Sequence, residues 1–297
     1  MKITRRDFLR TSSAGTVLAA SGLKASTAHT FKKEGGWRKP LVDVNTWLSR
    51  WPFRRLPLDD TEQLVVRLRS HGVRRAWVGS FDGVLHKDIG SVNTRLCLEC
   101  RRHGQGILTP FGTINPKLPD WPEELRRCQE HHRMPGIRLH PNYHGYKIDD
   151  PDLSELLKIA ATKGMIVQLV AGMEDERMQH ALLRVPNVDL TPLPRALDLA
   201  PKLKLVLLNW ARAIKPELQA KLVKSNQVWF DVAMVEGVGG IEHLLESVPE
   251  GRVLFGSHAP FYYFESALLK LKESFLSGYQ LQKIAGQNAG EILQWVS

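Results

Sequence analysis

Short apolar runs alternate with amphipathic segments along the chain from residue 41 onwards. Each run is rich in Val, Ile and Leu, and in the segments between them apolar residues recur every three to four positions. Near-continuous apolar runs of this length are typical of parallel strands that helices cover on both faces. We therefore predict eight strands, at residues 41–45, 75–80, 107–114, 136–140, 165–170, 203–209, 228–232 and 252–257.

Helical spacing between the runs completes eight strand–helix units. The clearest helix follows the fourth run and presents Leu153, Leu156 and Leu157 on one face. Eight such units within about 255 residues predict a single (β/α)8 TIM barrel. An open doubly wound sheet would show a glycine-rich phosphate-binding turn after an early strand, and the first run is followed by no such turn. Further helices are predicted near residues 120–132, 191–200, 215–224, 240–247, 262–276 and 279–295.

Composition and charge exclude several classes of protein. The chain has 297 residues, of which 43% are hydrophobic and 24% charged, as is ordinary for a globular protein. It contains no run of about 18 apolar residues, so no membrane-spanning helix is predicted. The formal net charge is +10, but the basic residues form no stripe or block. This surplus favours anionic small molecules through the overall field and predicts no nucleic-acid partner.

The first 28 residues have the order of features that is typical of an export signal. A basic start with paired Arg5 and Arg6 precedes a short apolar stretch and small residues that end at Ala28. The paired arginines followed by Phe-Leu resemble a twin-arginine signal, which implies the export machinery as a partner, cleavage near Ala28 and a periplasmic or otherwise extracytoplasmic mature protein. The stretch is too short for a stable membrane anchor. Residues 29–40 are then predicted to be a linker and residues 41–297 the barrel. The alternative interpretation of residues 1–28 is the basic start of an ordinary cytoplasmic helix.

Three cysteines cannot all pair with one another. Cys97 and Cys100 are spaced as Cys-x-x-Cys, but they fall in a helical pattern, and no second pair completes a zinc site. We predict that they are small core residues rather than redox or metal-binding groups.

Polar residues at the predicted strand ends outline a candidate active site. In TIM barrels the working side chains come from the carboxyl ends of the strands and the loops that follow. Ser80, Asp82 and Asn115 are explained equally well as turn or helix caps. The complete set is Asn45, Ser80, Asp82, Asn115, Arg138, His140, Gln168, Asn209, Asp231 and His258.

Three of these residues stand inside apolar runs and must find partners there. An unpaired buried guanidinium would be costly, so we expect Arg138 to meet either a ligand anion or a carboxylate of the barrel. Gln168 and Asn209 need hydrogen-bond partners for the same reason.

Residues 138–146 hold the densest group of reactive side chains. Pro141 and Gly145 predict a turn-forming loop rather than a helix. His140 and His144 could ligate a metal, but their spacing suits that geometry on a helix. We therefore favour proton transfer or substrate orientation as their role.

Three other clusters have structural explanations beside functional ones. Acidic residues 149–152 are read as the cap of the next helix, where negative charge suits the helix dipole. Residues 174–177 either begin a helix or place charge over the barrel mouth. Aromatic residues within 47–53 and 261–264 follow the first and eighth strands, which are neighbours in a closed barrel, so they form either core packing or an apolar pocket wall.

Several stretches resemble the amidohydrolase-related family of metal-dependent barrels, in the branch that contains decarboxylases and lactone hydrolases. They are residues 42–45 (VDVN), 136–141 (GIRLHP) and 252–261 (RVLFGSHAPF), together with Asn288-Ala289. The resemblance covers about residues 41–295 and implies a TIM barrel like that of the metal-dependent hydrolases.

The positions that hold the metal in this family have changed. The resemblance places the family's first two histidines at Asn45 and Trp47, its later histidines at Val170 and Asn209, and its aspartate at His258. Valine cannot ligate a metal, tryptophan offers only an N–H, and amides bind zinc poorly. These positions do not support a divalent metal, so no cofactor is expected and a metal-activated water has no support.

The resemblance implies a hydrolase of a cyclic amide or lactone, or a carboxy-lyase, that acts on a small anionic substrate without the family metal. His258 is the expected general base or acid, and Arg138 and His140 assist it. The substrate-binding residues are then Asn45, Gln168, Asn209, Tyr143 and His144.

Two other readings stay open. A catalytically inactive periplasmic barrel that binds a small molecule or a protein partner would also lose its metal ligands. A different metal could be held by His140, His258 and either Asp82 or Asp231. The sequence also leaves open whether the chain forms a homo-oligomer.

Overall fold

The computed structural model describes residues 40–294, apart from the side chain of Glu176. The predicted signal at residues 1–28 and the linker up to residue 39 lie outside this range. The strands are β1 Leu41–Leu48, β2 Val73–Ser80, β3 Leu108–Pro110, β4 Gly112–Thr113, β5 Gly136–Leu139, β6 Ile166–Val170, β7 Lys204–Leu208, β8 Val228–Asp231 and β9 Val253–Leu254.

Helices follow the strands as the spacing predicts. Turns of π-helix at 127–131 and 283–287 continue α4 and α11, and short 3-10 turns occupy 176–178 and 250–252. The helices are α1 Thr61–Ser70, α2 Asp82–Leu85, α3 Ile89–His103, α4 Trp121–Arg126, α5 Pro141–His144, α6 Pro151–Thr162, α7 Leu193–Leu199, α8 Pro216–Lys224, α9 Gly240–Leu245, α10 Phe264–Glu273, α11 Gly278–Gln282 and α12 Asn288–Leu293.

The strands form a closed barrel. They pair in parallel in the orders β1-β2-β3 and β4-β5-β6-β7-β8-β9, and β3 and β4 are two pieces of one strand separated by Phe111. The Phe111 amide donates to the Val78 carbonyl at 2.8 Å, which continues the pairing across this break. The barrel closes where the Val44 amide donates to Phe255 and Thr46 bridges Ala259 in parallel. The predicted (β/α)8 barrel is therefore confirmed.

Alternation along the strands separates the barrel interior from the layer beneath the helices. In β6, Ile166 and Val170 join the interior cluster, whereas Val167 and Leu169 pack under the helices. Gln168 has the interior parity and pairs in register with Arg138 of β5. The interior of the barrel thus contains a guanidinium and an amide among apolar side chains.

Residues 141–144 form one turn of helix, so the predicted loop is wrong. Pro141 occupies the first helical position, where its fixed φ is favourable and its missing N–H costs nothing. Gly145 ends the turn with φ 71°, the left-handed conformation that glycine adopts without strain. The turn brings the His140 and His144 rings within 5.6 Å of each other.

Other local predictions hold. Asp150 caps α6, because its carboxylate accepts from the Asp152 amide at 3.2 Å. Cys97, Cys100 and Cys128 are buried free thiols, as expected of core residues. In residues 40–294 no helix is long and apolar enough to cross a membrane.

Candidate active site

Three polar side chains from separate strands bond to one another at the rim of the barrel. The Asn45 amide nitrogen, on β1, donates to Asn209 Oδ1 at 2.8 Å and to Asp231 Oδ2 at 2.7 Å. The other Asp231 oxygen accepts from the Asn209 backbone amide at 2.9 Å. Burial raises the pKa of Asp231 to about 6, although the bonds from Asn45 and Asn209 oppose this.

Trp47 links this group to His258. Its indole nitrogen donates to Asn45 Oδ1 at 3.1 Å and to His258 Nδ1 at 3.0 Å. His258 Nε2 lies 2.7 Å from the Met173 carbonyl. A carbonyl can only accept, so Nε2 carries the proton and Nδ1 presents its lone pair to the indole.

His258 is therefore a neutral imidazole with both ring nitrogens engaged. It is fully buried, and desolvation lowers its pKa to about 3. In this arrangement it has neither a free lone pair nor a free N–H for a substrate. The structure places the predicted general base among the groups that hold the rim together.

Arg138 lies in the barrel interior beneath the rim. Its Nε donates to Gln168 Oε1 at 2.8 Å, and its Nη1 donates to the Thr46 carbonyl at 2.9 Å. Its Nη2 donates to the carbonyls of Trp77, at 3.1 Å, and Val44, at 3.5 Å. The guanidinium thus ties β5 to β1, β2 and β6.

The expected partner of Arg138, a ligand anion or a carboxylate, is replaced by these carbonyls. Carbonyl dipoles satisfy the donors at lower desolvation cost than a second buried charge would. Burial lowers the pKa of Arg138 to about 9, so the side chain stays charged at neutral pH. The face of the Trp47 ring lies 4.5 Å from the guanidinium carbon and adds a cation–π contact. Gln168, whose amide also donates to the Val44 carbonyl at 2.7 Å, helps to hold this arrangement.

His140 and His144 carry ring nitrogens without partners. His140 is 1% exposed, and neither of its ring nitrogens has a hydrogen-bond partner within the described residues. His144 Nε2 donates to the Gly83 carbonyl at 2.9 Å, which leaves its buried Nδ1 unpaired. The nearby Thr113 hydroxyl, which faces Gly83, is also buried without a partner. We call His140, His144 and Thr113 the His140 cluster.

Burial keeps both imidazoles of this cluster neutral. Desolvation, reinforced by the nearby His144 and Arg138, holds the pKa of His140 well below its usual range. Desolvation likewise lowers the pKa of His144 to about 4. A neutral imidazole has one donor nitrogen and one acceptor nitrogen, so the cluster can offer both to a ligand.

An aromatic layer covers the rim. Trp47 stacks on Phe81 with ring centroids 5.1 Å apart, and Trp51 contacts Phe81 at 5.5 Å and Phe261 at 5.3 Å. Tyr143 packs edge-on against Trp51 at 6.3 Å. The aromatic groups after β1 and β9 thus converge as predicted, but they pack tightly against one another. Five of the cavities along residues 40–294, of about 350–720 Å³, are lined by residues outside the rim and the His140 cluster.

Several residues of the predicted ring serve as local caps. Ser80 and Asn115 accept from the backbone amides of Asp82 and Lys117. Asp82 pairs with Arg95 on α3 at 3.1 Å, away from the rim. Ser80 and Asn115 therefore follow the turn-capping explanation, whereas the Asp82 side chain forms an ion pair instead of a cap.

Charged residues after β6 form ion pairs at the barrel mouth. Glu174 pairs with Arg54, and Asp175 binds both Arg177 and Arg212 at 2.7 Å. Glu174, Asp175, Arg177 and Arg212 line a cavity of about 360 Å³. The sequence had left open whether these residues begin a helix or carry charge over the mouth, and they do both through the 3-10 turn at 176–178.

Asp43 belongs to the buried network and was missed as a candidate. Its carboxylate accepts from the backbone amides of Asn45 and Ser257 at 3.0 Å and from the Ser257 hydroxyl at 2.5 Å. Burial raises its pKa to about 6. The available signal was an acidic residue inside the apolar run at 41–45.

The rim residues do not fit a divalent metal ion. Both carboxylate oxygens of Asp231 and the lone pair of His258 are taken by donors, and Trp47 has no lone pair to offer. Across residues 40–294, no three His, Cys, Asp or Glu side chains are grouped so that they could hold a metal. This arrangement also gives no support to the set His140, His258 and Asp82 or Asp231.

A family model described as Amidohydrolase matches residues 57–295. No curated protein sequence matches the chain. The fold is similar to 5-carboxyvanillate decarboxylase from Sphingomonas paucimobilis, with a TM-score of 0.69 and 16% identity over 86% of this chain and 99% of that one.

Two other solved structures share the fold. A 2,6-dihydroxybenzoate decarboxylase complexed with 2,6-dihydroxybenzoate has a TM-score of 0.69 and 13% identity, over 87% of this chain and 100% of that one. The apo form of an IDCase from Metarhizium anisopliae has a TM-score of 0.63 and 16% identity, over 86% and 97%. At these identities the likeness establishes the barrel alone.

Proposed function

Because the chain belongs to the amidohydrolase family, we propose that it is a hydrolase or carboxy-lyase that acts on a small anionic substrate without the family metal, with His140 as its proton-transfer group. The observation that carries the proposal is the pair of unpartnered nitrogens on a fully buried imidazole. Leaving such atoms unpaired costs about 1–3 kcal/mol each, so their presence favours a ligand that pairs with them.

His140 suits this role better than His258. Both histidines are buried, but the ring nitrogens of His258 are engaged by Trp47 and Met173, whereas those of His140 are free. A general base must reach the proton that it removes, within hydrogen-bond distance. His144 is held in one tautomer by the Gly83 carbonyl, so its free nitrogen is an acceptor that can orient a substrate donor.

The protonation state of His140 favours hydrolysis over decarboxylation. A neutral imidazole has a lone pair that can take a proton from a water attacking a lactone or cyclic amide carbonyl, and the resulting imidazolium can return it to the ring oxygen or nitrogen as the C–O or C–N bond breaks. Decarboxylation instead needs an acid that delivers a proton to the ring carbon, and a neutral imidazole is a poor acid. The carboxy-lyase reading is supported by the neighbouring structures, whose names include decarboxylases of aromatic acids.

The substrate charge follows from the same electrostatics. The pKa of His140 is depressed mainly by burial, and the positive charge of Arg138 adds to this. An anionic substrate beside the ring would raise that pKa towards the working range of a base, because opposite charge favours the imidazolium. A neutral substrate would leave it too weak a base.

Two substrate classes and one pair of variants test this proposal. The mature chain, treated with EDTA, would be assayed for opening of carboxylated lactones and for release of carbon dioxide from dihydroxybenzoates. We expect turnover to survive EDTA, to be lost in His140→Gln, and to be unchanged in His243→Gln, which alters an exposed imidazole on α9. Full activity in His140→Gln would exclude His140 as the base.

A second candidate function is supported by the burial of the rim. Asn45, Arg138, Asn209 and His258 are each at most 1% exposed beneath the aromatic layer. A barrel that had lost catalysis and binds a small molecule or protein elsewhere would have this packed rim. This second function predicts that the wild-type protein turns over neither substrate class. It also predicts that a ligand raises the melting temperature of the wild-type protein and of His140→Gln by the same amount.

A further inference from the structure

The buried cation in the interior of this barrel is a side chain of the protein, the guanidinium of Arg138. The guanidinium of Arg138 is fully buried and bonds to the Val44 and Thr46 carbonyls, which flank Asn45 on β1. Its flat face lies against Trp47. Asn45 and Trp47 are the two positions at which the family resemblance places metal-binding histidines. The cation therefore lies directly against the segment that a bound metal would use.

We infer that the Arg138 guanidinium replaces the family metal as the resident cation, and that it joins the strand ends by hydrogen bonds where a metal would join them by coordination. Five donors in a rigid plane can reach acceptors on several strands at once, as a metal ion does. Arg138 donates four hydrogen bonds, which reach acceptors on β1, β2 and β6. The barrel then needs no divalent metal to fold.

Space for the guanidinium is provided by a missing side chain on β2. A Cβ built on Gly79 would lie 2.8 Å from both Cδ and Nη1 of Arg138, closer than real Cβ contacts. Arg138 is held by bonds on several strands, so it cannot yield without losing some of them. The absence of a side chain at Gly79 is thus required for the guanidinium of Arg138 to occupy this position.

Buried carboxylates balance the charge from a distance. Asp43 and Asp231 each favour the charged form of Arg138 through their fields, although no hydrogen bond joins them to it. Their own oxygens are engaged by Ser257, Asn45 and Asn209. A second cation at the rim would meet the guanidinium charge and find no free carboxylate.

Metal addition and chemical rescue test the inference together. With wild-type protein dialysed against EDTA, we expect Zn²⁺ or Mn²⁺ to leave the melting temperature unchanged and to bind below one equivalent by elemental analysis. We expect Arg138→Ala to melt well below wild type and to recover part of the loss in millimolar guanidinium chloride, but not in sodium chloride of equal ionic strength. One equivalent of tightly held metal, or no rescue by guanidinium, would overturn the inference.

Milder variants keep the inference testable if Arg138→Ala does not fold. Arg138→Lys keeps the charge, but one ammonium group cannot reach acceptors on three strands, so we expect a melting temperature about 5–10 °C lower. Gly79→Ala should lower it by a similar amount. Gly251→Ala is the control, because its added Cβ would meet nothing within 4 Å. Equal melting temperatures for the two alanine variants would show that the guanidinium is not fixed by this fit.

These outcomes are independent of catalysis. Melting temperature and bound metal are measured without any substrate, so the inference can fail while His140 still acts as a base. Equally, the inference can hold while the assays of His140→Gln show that His140 is not the base.

Discussion

The indole N–H of Trp47 is shared between Asn45 Oδ1 and His258 Nδ1, at 3.1 and 3.0 Å. One donor therefore satisfies two buried acceptors that come from opposite ends of the sequence. The bond also explains why the His258 lone pair faces the protein rather than a substrate.

Removing this donor should destabilise the barrel. Trp47→Phe leaves Asn45 Oδ1 unpaired and leaves His258 Nδ1 with only the Asn209 amide at 3.3 Å, and we expect the free energy of unfolding to fall by about 1–3 kcal/mol more than in Trp77→Phe. Trp77 is a suitable control because it is equally buried and its indole nitrogen has no partner. Urea denaturation of both variants measures the difference. Equal losses would mean that only ring volume matters.

Acid should destabilise the protein through its buried neutral histidines. The folded-state pKa of His144 is lowered to about 4 from 6.5, so the unfolded chain takes up the proton first as the pH falls. The stability that this provides is present above pH 6.5 and is lost between pH 6.5 and 4. We expect His144→Gln to reduce that loss by about 3 kcal/mol. His243→Gln, an exposed change, should retain the wild-type pH dependence of urea unfolding.

The hydroxyl of Ser257 should matter more at high pH than at low pH. It donates to Asp43, whose pKa is raised to about 6, and the bond favours the charged carboxylate. Ser257→Ala should therefore raise that pKa further. We expect a loss of about 1–3 kcal/mol at pH 8 and a smaller one at pH 5, where the carboxyl is protonated in either protein. In Ser266→Ala, which removes an exposed hydroxyl on α10, the loss should be small and independent of pH.

Export is proposed from the sequence alone, because residues 1–28 lie outside the described part of the chain. If Arg5 and Arg6 form a twin-arginine signal, changing both to Lys should leave uncleaved precursor in the cytoplasm. Fractionation followed by immunoblotting measures this. Changing Arg38 and Lys39 instead, beyond the predicted cleavage site, should leave export intact. Normal export of the Arg5 and Arg6 variant would remove the proposal.

The strands could be predicted because apolar runs alternate with amphipathic segments along the chain, which is a local property of the sequence. The eight apolar runs match the strands, and Asp150 caps its helix as its position suggests. The turn at 141–144 was misjudged, because Pro141 and Gly145 are also the residues that begin and end a short helix. Strand β1 continues to Leu48, beyond the predicted end at Asn45, so that Trp47 also lies within it.

Sequence alone determined the barrel and showed that Arg138, Gln168 and Asn209 must have buried partners, because burial and its cost follow from residue type and periodicity. Only the tertiary structure decided what those partners are, since they come from strands that are distant along the chain. It directed Arg138 to backbone carbonyls instead of an anion, engaged both nitrogens of His258, and left those of His140 free. Residue type specifies what a group needs, whereas three-dimensional packing determines which neighbour provides it.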